Sequence, residues 1–422
     1  MSIFKACDIR APYGEELKDH HATDLGYAIA DRQGPVEVVV AGDGRKSTPR
    51  LKSLLVEALV SGGCRVIDLG MVPTPAMYFA RQQLGIATGV MVTASHNPPD
   101  HNGFKLALGE WPITEDEIAE LKYLMERGSH LPAPMGSVSS FDILPDYLSF
   151  TTAQLEPCSG LRVVVDYGNG VGALVGPPLW QAAGADVVPL FDTVDGSFPN
   201  RSPNPAVAAN LTVLCEAVGR HGADLGVAYD GDADRVAFVD DGGGVVSSDK
   251  IIALFATELL REGPGVVVFD QKCSRIVAQQ VKALGGEPVM EKSGHTFIKT
   301  TFKKRNAVYA GELSGHHFFR QLPQGDDGVF ASLFFAGRLA GSKMPLSALA
   351  AALPTYPITP DIRLPVTPGE ADAILADLAG ALAGEAQLVE LDGVRAEFPD
   401  GWGLARKSVT EPLVTLRFEG DD

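Results

Sequence analysis

A lone serine follows a predicted buried strand in the first quarter of the chain. Residues 89–92 (Gly-Val-Met-Val) favour a central strand, and Pro98 and Pro99 prevent its continuation because proline cannot donate a ladder hydrogen bond. Ser95 and His96 are therefore expected in an exposed turn at the strand's carboxyl end, where open α/β sheets place their ligands. A hydroxyl group there could act as a nucleophile, although local capping is the commoner role of serine in such a turn.

Three aspartates alternate in a loop after another predicted strand. Asp230, Asp232 and Asp234 follow the apolar residues 225–228, and Gly231 allows the backbone to curl so that the three carboxylates converge. Hard divalent cations prefer such oxygen ligands. The segment lacks the distal Glu of a calcium loop and ends in Arg235, so it predicts a Mg²⁺ site; the alternative is an acidic turn.

Two further segments could recognise a phosphorylated sugar. Glu312 and Ser314 follow an apolar run and can point to the same side of an extended segment, where a carboxylate beside a hydroxyl suits vicinal sugar hydroxyls. Arg406, Ser408 and Thr410 precede a proline and form a candidate phosphate cradle, although an ordinary hairpin connection has the same composition. Other basic candidates beside predicted strand ends or turns are Arg10, Lys105, Lys272 and His295.

The elements that must position these residues alternate along the chain as α/β units with buried, largely parallel strands. Three segments share one plan, an apolar strand ending in an acid and followed by a turn and a helix: residues 36–43, 161–166 and 265–270. Their spacing predicts three related domains. Alternating runs at 393–398 and 412–418, after a helix at 369–383, predict a C-terminal α+β domain of antiparallel strands. Residues 131–140 are expected to form a loop.

Composition and charge exclude several classes of function. The chain has 422 residues and a net charge of −18, so its long-range field repels nucleic acid and anionic membranes. No apolar run is long enough to span a bilayer, and the N-terminus lacks the apolar core of a signal peptide. Five scattered cysteines predict neither a zinc site nor a disulfide framework. A cytoplasmic protein is expected.

Taken in order, the motifs resemble the four signatures of the α-D-phosphohexomutases, most closely the bacterial phosphomannomutase/phosphoglucomutase branch. They are TASHNP at 93–98, DGDADR at 230–235, GELSGH at 311–316 and RKSVTEP at 406–412. The resemblance implies four domains around a central cleft, each contributing one motif. We expect a phosphoserine-bearing domain at 1–150, a metal-binding domain at 151–246, a sugar-recognition domain at 247–355 and a C-terminal phosphate-binding domain at 356–422.

The resemblance also implies an activity. Ser95 would carry a phosphoryl group and donate it to a hexose 1- or 6-phosphate, with a hexose 1,6-bisphosphate as intermediate and activator and Mg²⁺ held by Ser95 and the three aspartates. Lys105 or His316 would be the general acid/base. By matching position, the reacting centre comprises Ser95, Arg10, His96, Lys105, Arg235 and His316. The substrate-binding residues are Lys272, His295, Glu312, Ser314, Arg406, Ser408 and Thr410.

Some differences from the family's pattern affect substrate choice and affinity. Leu313 stands where the glucosamine-phosphate branch has Gln, which favours mannose or glucose phosphates over phosphoglucosamine. Cys7 and Val409 stand where the family has a Tyr and an Asn that contact phosphate, so either substrate affinity is lower or a neighbour such as Lys407 compensates. A phosphoglucosamine mutase, a Ser-dependent metal phosphatase and a silent sugar-phosphate-binding protein are the alternative functions. The C-terminal domain is expected to move about residues 354–360.

Overall fold

A computed structural model describes residues 3–128, 130, 133–322, 325–367, 369–407 and 413–422. Four β-sheets follow one another along the chain, and strands of different sheets do not interleave in sequence. The first three sheets combine parallel strands with antiparallel edge strands, whereas the fourth is wholly antiparallel. The predicted fold class, three α/β domains and a C-terminal α+β domain, is therefore confirmed.

The first sheet has the strand order β1-β5-β4-β2-β3-β6. Its strands are β1 (Ile9–Pro12), β2 (Glu37–Gly42), β3 (Arg65–Met71), β4 (Thr88–Val92), β5 (His101–Leu108) and β6 (Ser137–Ser140). Its helices are α1 (Asp19–Gln33), α2 (Thr48–Ser61), α3 (Thr74–Gln83), α4 (Glu115–Arg127) and α5 (Leu144–Thr152). Thr114 and Glu117 form a capping box at the start of α4. The loop predicted at 131–140 is partly wrong, because β6 pairs in parallel with β3.

The second sheet has the order β11-β10-β9-β7-β8. Its strands are β7 (Arg162–Asp166), β8 (Asp186–Leu190), β9 (Leu225–Tyr229), β10 (Val236–Asp240) and β11 (Val245–Val246). Its helices are α6 (Gly176–Ala183) and α7 (Thr212–His221). Gly184 ends α6 in the left-handed conformation with φ 83°, which glycine adopts without steric cost.

The third sheet has the order β13-β12-β14-β15. Its strands are β12 (Val266–Asp270), β13 (Glu287–Glu291), β14 (Tyr309–Gly311) and β15 (His317–Phe319). Its helices are α8 (Ser248–Leu260), α9 (Arg275–Ala283), α10 (His295–Lys304), α11 (Gly328–Ser342) and α12 (Leu346–Ala352). The C-terminal sheet contains β16 (Ile362–Pro365), β17 (Gln387–Val389), β18 (Val394–Phe398), β19 (Gly401–Lys407) and β20 (Leu413–Gly420), packed against α13 (Glu370–Leu382).

One hydrophobic core joins the first three sheets and fixes their relative placement. It runs from Val39 in β2 through Trp180 in α6 and Phe255 in α8 to the aromatic face of α11. The predicted boundary at residue 150 falls inside α5, which packs on both α3 and α6. The domain limits thus stay predictions, since the core is continuous across them. Among the described residues, no helix is long and apolar enough to cross a membrane.

Candidate active site

The Ser95 turn follows β4 as predicted, but its exposure was predicted wrongly. Ser95 is fully buried, and its backbone has φ 50°, a left-handed conformation that is rare for a non-glycine residue. Its amide donates to Thr93 Oγ1 at 2.8 Å. Its hydroxyl donates to Asp230 Oδ2 at 2.6 Å and lies 3.3 Å from His96 Nδ1. The hydroxyl therefore faces the aspartate loop of the second sheet.

A buried arginine holds this turn in shape. Arg45 follows β2, and its side chain is 0 % exposed. Its guanidinium donates at 2.6–3.0 Å to four backbone carbonyls, those of Ser95, Asn97, Pro98 and His101. Its Nε also donates to Asp43 Oδ2 at 3.2 Å, and the same carboxylate accepts from the hydroxyls of Thr48 and Thr93 at 2.7 Å. The strained serine conformation is thus imposed by hydrogen bonds from the neighbouring strand end.

The three predicted carboxylates converge after β9. Asp230, Asp232 and Asp234 are buried, and each offers an oxygen within 4.8 Å of the others. Burial first, and then the charges of Asp232 and Asp234, raise the pKa of Asp230 well above its ordinary value. Asp232 Oδ1 and Asp234 Oδ1 have no hydrogen-bond partner. Unpaired, mutually repelling buried oxygens fit a divalent cation, so the donor set forms a plausible metal site.

Lys105 reaches this cluster from β5. Its Nζ donates to Asp232 Oδ2 at 2.7 Å and also to Asp234 Oδ2, and Asp232 accepts a further hydrogen bond from Thr74 Oγ1 at 2.6 Å. Burial alone would lower the pKa of Lys105, but the charges of Asp232 and Asp234 outweigh it and raise that pKa above its usual value. Lys105 is therefore a cation at neutral pH.

Arg235 links the second sheet to the third. Residues Arg235 and His316 form an isolated antiparallel bridge, and Arg235 Nε donates to His316 Nε2 at 2.8 Å. On its other side, His316 Nδ1 lies 2.5 Å from Asp326 Oδ2. This arrangement assigns the imidazole proton to Nδ1 and leaves Nε2 as the acceptor. Asp326 thus orients the ring of His316.

Three other predicted residues lie around the serine. Arg10 on β1 donates to Asn97 Oδ1 at 2.8 Å and to Asp8. Burial, followed by the nearby cations Arg235 and Arg10, holds the pKa of His96 well below its ordinary value. His295 begins α10 and stacks on His316 at 5.3 Å between ring centroids; burial lowers its pKa to about 3. Both rings are neutral at pH 7.

The Glu312 and Ser314 motif differs from the prediction in its backbone. The amide of Gly315 donates to the carbonyl of Glu312 at 2.9 Å, so residues 312–315 form a turn between β14 and β15 rather than an extended segment. Glu312 Oε2 and Ser314 Oγ are buried and have no hydrogen-bond partner. A sugar hydroxyl could satisfy both atoms.

A cleft of about 420 Å³ brings together residues from all four sheet regions. Its walls include Arg10, His96, Arg235, His295 and Arg406. Arg406 Nη2 pairs with Asp392 Oδ2 at 3.0 Å. Lys272 follows β12 but does not line this cleft, and the predicted Ser408 and Thr410 lie outside the described residues, as does Val409.

Sequence reasoning missed three residues of this centre. Asp43 and Arg45 shape the serine turn, and Asp326 orients His316. An available signal for the first pair was an acid at the end of β2 followed two residues later by an arginine. Asp326 gave no such signal, because it lies ten residues from His316 in the sequence.

Comparison with known proteins identifies the family. Family models described as phosphoglucomutase/phosphomannomutase alpha/beta/alpha domains I, II and III match residues 1–131, 145–243 and 247–356, and the C-terminal domain model matches 362–422. A phosphomannomutase/phosphoglucomutase of Pseudomonas aeruginosa is 40% identical, over 100% of this chain and 92% of its own length. A phosphoglucomutase of Neisseria gonorrhoeae is 39% identical, over 99% and 93%.

A solved structure gives the same result. The chain matches a phosphoglucomutase/phosphomannomutase family protein of Burkholderia thailandensis with a TM-score of 0.92 and 38% identity, covering 100% of this chain and 93% of the other. The resemblance predicted from the four motifs is confirmed, and the chain belongs to the phosphoglucomutase/phosphomannomutase family of the α-D-phosphohexomutases.

Proposed function

We propose that this protein interconverts the 1- and 6-phosphates of mannose, glucose or both, by way of a phosphorylated Ser95 and a hexose 1,6-bisphosphate. One observation carries the proposal: the Ser95 hydroxyl lies 2.6 Å from Asp230, inside a buried cluster of three carboxylates that Lys105 and Arg235 flank. A serine with acidic, metal-suited neighbours is placed for phosphoryl transfer. The chain's relatives from Pseudomonas and Neisseria carry matching names.

Phosphoryl transfer from phosphorylated Ser95 to the sugar needs no reactant besides the sugar monophosphate. The bond between phosphorus and Ser95 Oγ breaks while a bond forms between phosphorus and a hydroxyl oxygen of the sugar monophosphate. The hydroxyl proton leaves to a base, and the serine oxygen takes up a proton. The bisphosphate then turns over in the cleft and returns its other phosphoryl group to Ser95 by the reverse steps.

The residues at the centre have different roles in the proposed reaction. Asp230, Asp232 and Asp234, with the Ser95 oxygen, would hold Mg²⁺, which when bound offsets negative charge on the transferring group. Arg235 supplies a permanent positive charge near the serine. Lys105, whose pKa the two carboxylates raise, keeps its proton and would offset negative charge near the serine. His316, oriented by Asp326, is suited to accepting one at Nε2 once Arg235 turns toward phosphate.

Substrate binding would use two groups of residues. Glu312 and Ser314, which are not among the residues lining the cleft, have buried, unpartnered oxygens that could bind sugar hydroxyls, and Arg406 lines the cleft as a cation for the distal phosphate. Cys7 Sγ lies 2.5 Å from Thr296 Oγ1, and burial raises the pKa of the thiol to about 12. The neutral thiol thus ties the first sheet to α10 and gives phosphate no charge-assisted contact, consistent with the predicted lower affinity.

The remaining properties agree with a small-molecule enzyme. The chain's charge of −18 favours sugar phosphates held by local cations over nucleic acid or anionic membranes. All five cysteines are free thiols, as expected for a cytoplasmic protein.

The decisive experiment measures phosphate on Ser95 by intact mass after incubation with glucose 1,6-bisphosphate, together with conversion of glucose 1-phosphate and mannose 1-phosphate. We expect one phosphate per chain, mutase activity stimulated by the bisphosphate, and loss of both in Ser95→Ala. Ser140→Ala, at an exposed serine of β6, is the matched control and should keep both. Undiminished activity in Ser95→Ala would refute the mechanism.

The alternatives give different results in the same assay. A metal phosphatase releases inorganic phosphate without forming the isomeric sugar phosphate. A silent binding protein shows affinity without turnover. A phosphoglucosamine mutase prefers glucosamine 6-phosphate to either hexose phosphate.

A further inference from the structure

A buried phenylalanine contacts both the serine turn and the aspartate loop. The ring of Phe198 lies 5.0 Å from the guanidinium carbon of Arg45, whose side chain holds the carbonyl of Ser95. The edge of the same ring approaches Gly231 so closely that a Cβ on that glycine would lie 3.2 Å from the ring carbon Cζ. Gly231 lies within the run of three aspartates. One side chain therefore touches a support of the serine and a support of the proposed metal site.

The backbone of Phe198 is in an unusual conformation. Its φ is 47°, in the left-handed region that an aromatic residue rarely adopts. The side chain is buried, yet it belongs to none of the hydrophobic clusters that the described residues form. Residues in such conformations are concentrated at functional sites, where the surrounding structure imposes them. The ring is thus placed against an arginine and a loop backbone of the site instead of in a core.

Hydrogen bonds fix the loop that carries this residue, 191–201. The amide of Phe198 donates to the carbonyl of Asp195 at 2.9 Å. At the end of the loop, Arg201 Nη2 donates at 2.7 Å to the carbonyl of Tyr229, the last residue of β9. Because the aspartate loop begins directly after β9, this hydrogen bond anchors the 191–201 loop to the same strand end.

The 191–201 loop also touches the segment before Arg45. A Cβ on Gly196 would overlap the carbonyl oxygen of Gly44, and a Cβ on Gly44 would overlap Val194 Cγ1. The two backbones can lie this close only because both glycines lack a side chain. The loop therefore connects the end of β9 with the segment after β2, and Phe198 lies between them.

We propose that Phe198 is a positioning residue for phosphoryl transfer, whose ring sets the separation between the Ser95 turn and the aspartate loop. This inference rests on the proposed function of Ser95. The ring offers the Arg45 guanidinium a favourable π face without competing for its hydrogen bonds to the serine turn. Its edge limits movement of the aspartate loop at Gly231. Phe198→Leu keeps an apolar side chain but removes the π face and the ring edge, so both supports should loosen.

The test uses the full-length protein well below the melting temperature of each variant. Titration calorimetry without sugar phosphate gives the Kd of Mg²⁺, and intact mass gives the rate of Ser95 phosphorylation at saturating Mg²⁺ and varied glucose 1,6-bisphosphate. In Phe198→Leu we expect Mg²⁺ to bind about tenfold more weakly. The maximal phosphorylation rate should fall at least about tenfold, with the KM for the bisphosphate unchanged. Phe191→Leu is the matched control, because Phe191 has φ 52° in the same loop, and it should change neither quantity.

Wild-type Mg²⁺ affinity in folded Phe198→Leu would overturn the proposal. Equal losses in Phe191→Leu would do the same, because the effect would then belong to the loop as a whole, and so would a loss confined to KM. If Phe198→Leu does not fold, Val194→Ala decides: it removes the methyl groups packed on Gly44 and should also weaken Mg²⁺ binding, whereas unchanged affinity would contradict the proposal. If the wild type binds Mg²⁺ but is not phosphorylated, the proposed function fails, while the difference in Mg²⁺ affinity still tests Phe198.

Discussion

Replacing Arg45 by Met should remove the support of the Ser95 turn while leaving every group of the proposed reaction in place. The methionine side chain has a similar length but no donors. Four backbone carbonyls and the Asp43 carboxylate would then lose the guanidinium. Burial already raises the pKa of Asp43, and the Arg45 charge opposes that rise. Without Arg45 the carboxyl group becomes harder still to ionise.

The expected cost follows from these contacts. Breaking a buried ion pair by removing one partner typically costs about 3–5 kcal/mol, because the other charge stays buried and unpaired. The carbonyls of Asn97 and Pro98 lie near solvent and can be rehydrated, so they add little. We therefore expect Arg45→Met to lower the local unfolding free energy by about 3–5 kcal/mol, measured by hydrogen exchange of amides in β2 and β4.

A double variant separates stability from positioning. Asp43→Asn combined with Arg45→Met removes the unpaired charge, and should recover a large part of the lost stability. It should not recover phosphorylation of Ser95 by glucose 1,6-bisphosphate, because the carbonyls of the turn remain unsupported. Arg50→Met, which removes an exposed arginine paired with Asp19, is the control and should change neither quantity. Phosphorylation of Arg45→Met at the wild-type rate would refute the reasoning.

Three other perturbations test the site and its surroundings. Burial raises the pKa of Asp327 to about 7, so the folded protein keeps this carboxyl group protonated at pH values where the unfolded chain ionises it. The resulting stability is lost as the pH rises from the unfolded pKa toward 7. Relative to Asp327→Asn, the free energy of unfolding of the wild type in urea should therefore fall by about 3 kcal/mol between pH 5 and 8. Lys105→Met removes the cation shared by Asp232 and Asp234, so Mg²⁺ should raise the melting temperature of the variant more than that of the wild type. An equal rise in both proteins would contradict this expectation. In Gly231→Ala the added Cβ would lie 2.6 Å from the carbonyl oxygen of Ser95, so phosphorylation should fall at least tenfold; Gly219→Ala, which meets nothing within 4 Å, is the control.

The sequence predicts best where local chemistry decides the structure. Buried Val-rich runs favour strands, and the three runs predicted at 36–43, 161–166 and 265–270 contain β2, β7 and β12. The aspartate loop was recognised because its ligand pattern lies within five consecutive residues. In each case the determining contacts join residues close in sequence.

The failures involve contacts between distant segments. Ser95 was predicted to lie in an exposed turn because two prolines end the preceding strand, but its hydroxyl is buried against Asp230, 135 residues further along the chain. The segment of Glu312 and Ser314 was predicted to be extended because the two residues alternate, but the hydrogen bond from Gly315, at φ 98°, to Glu312 closes it into a turn. Strand β6 is exposed on every residue and has no apolar alternation, so only its pairing with β3 defines it.

The charges at the centre explain how a strongly acidic protein could bind a dianionic substrate. When all three carboxyl groups of the aspartate loop are ionised, as metal binding requires, they face two cations, Lys105 and Arg235, and the cluster has one net negative charge. A phosphate dianion would be repelled there, but one divalent cation reverses the sign and leaves a single positive charge. Phosphate binding next to Ser95 should therefore require the metal, whereas binding of the distal phosphate by Arg406 should not. The two ends of a sugar bisphosphate would then meet sites of different metal dependence, which would allow one end to be released while the other is held.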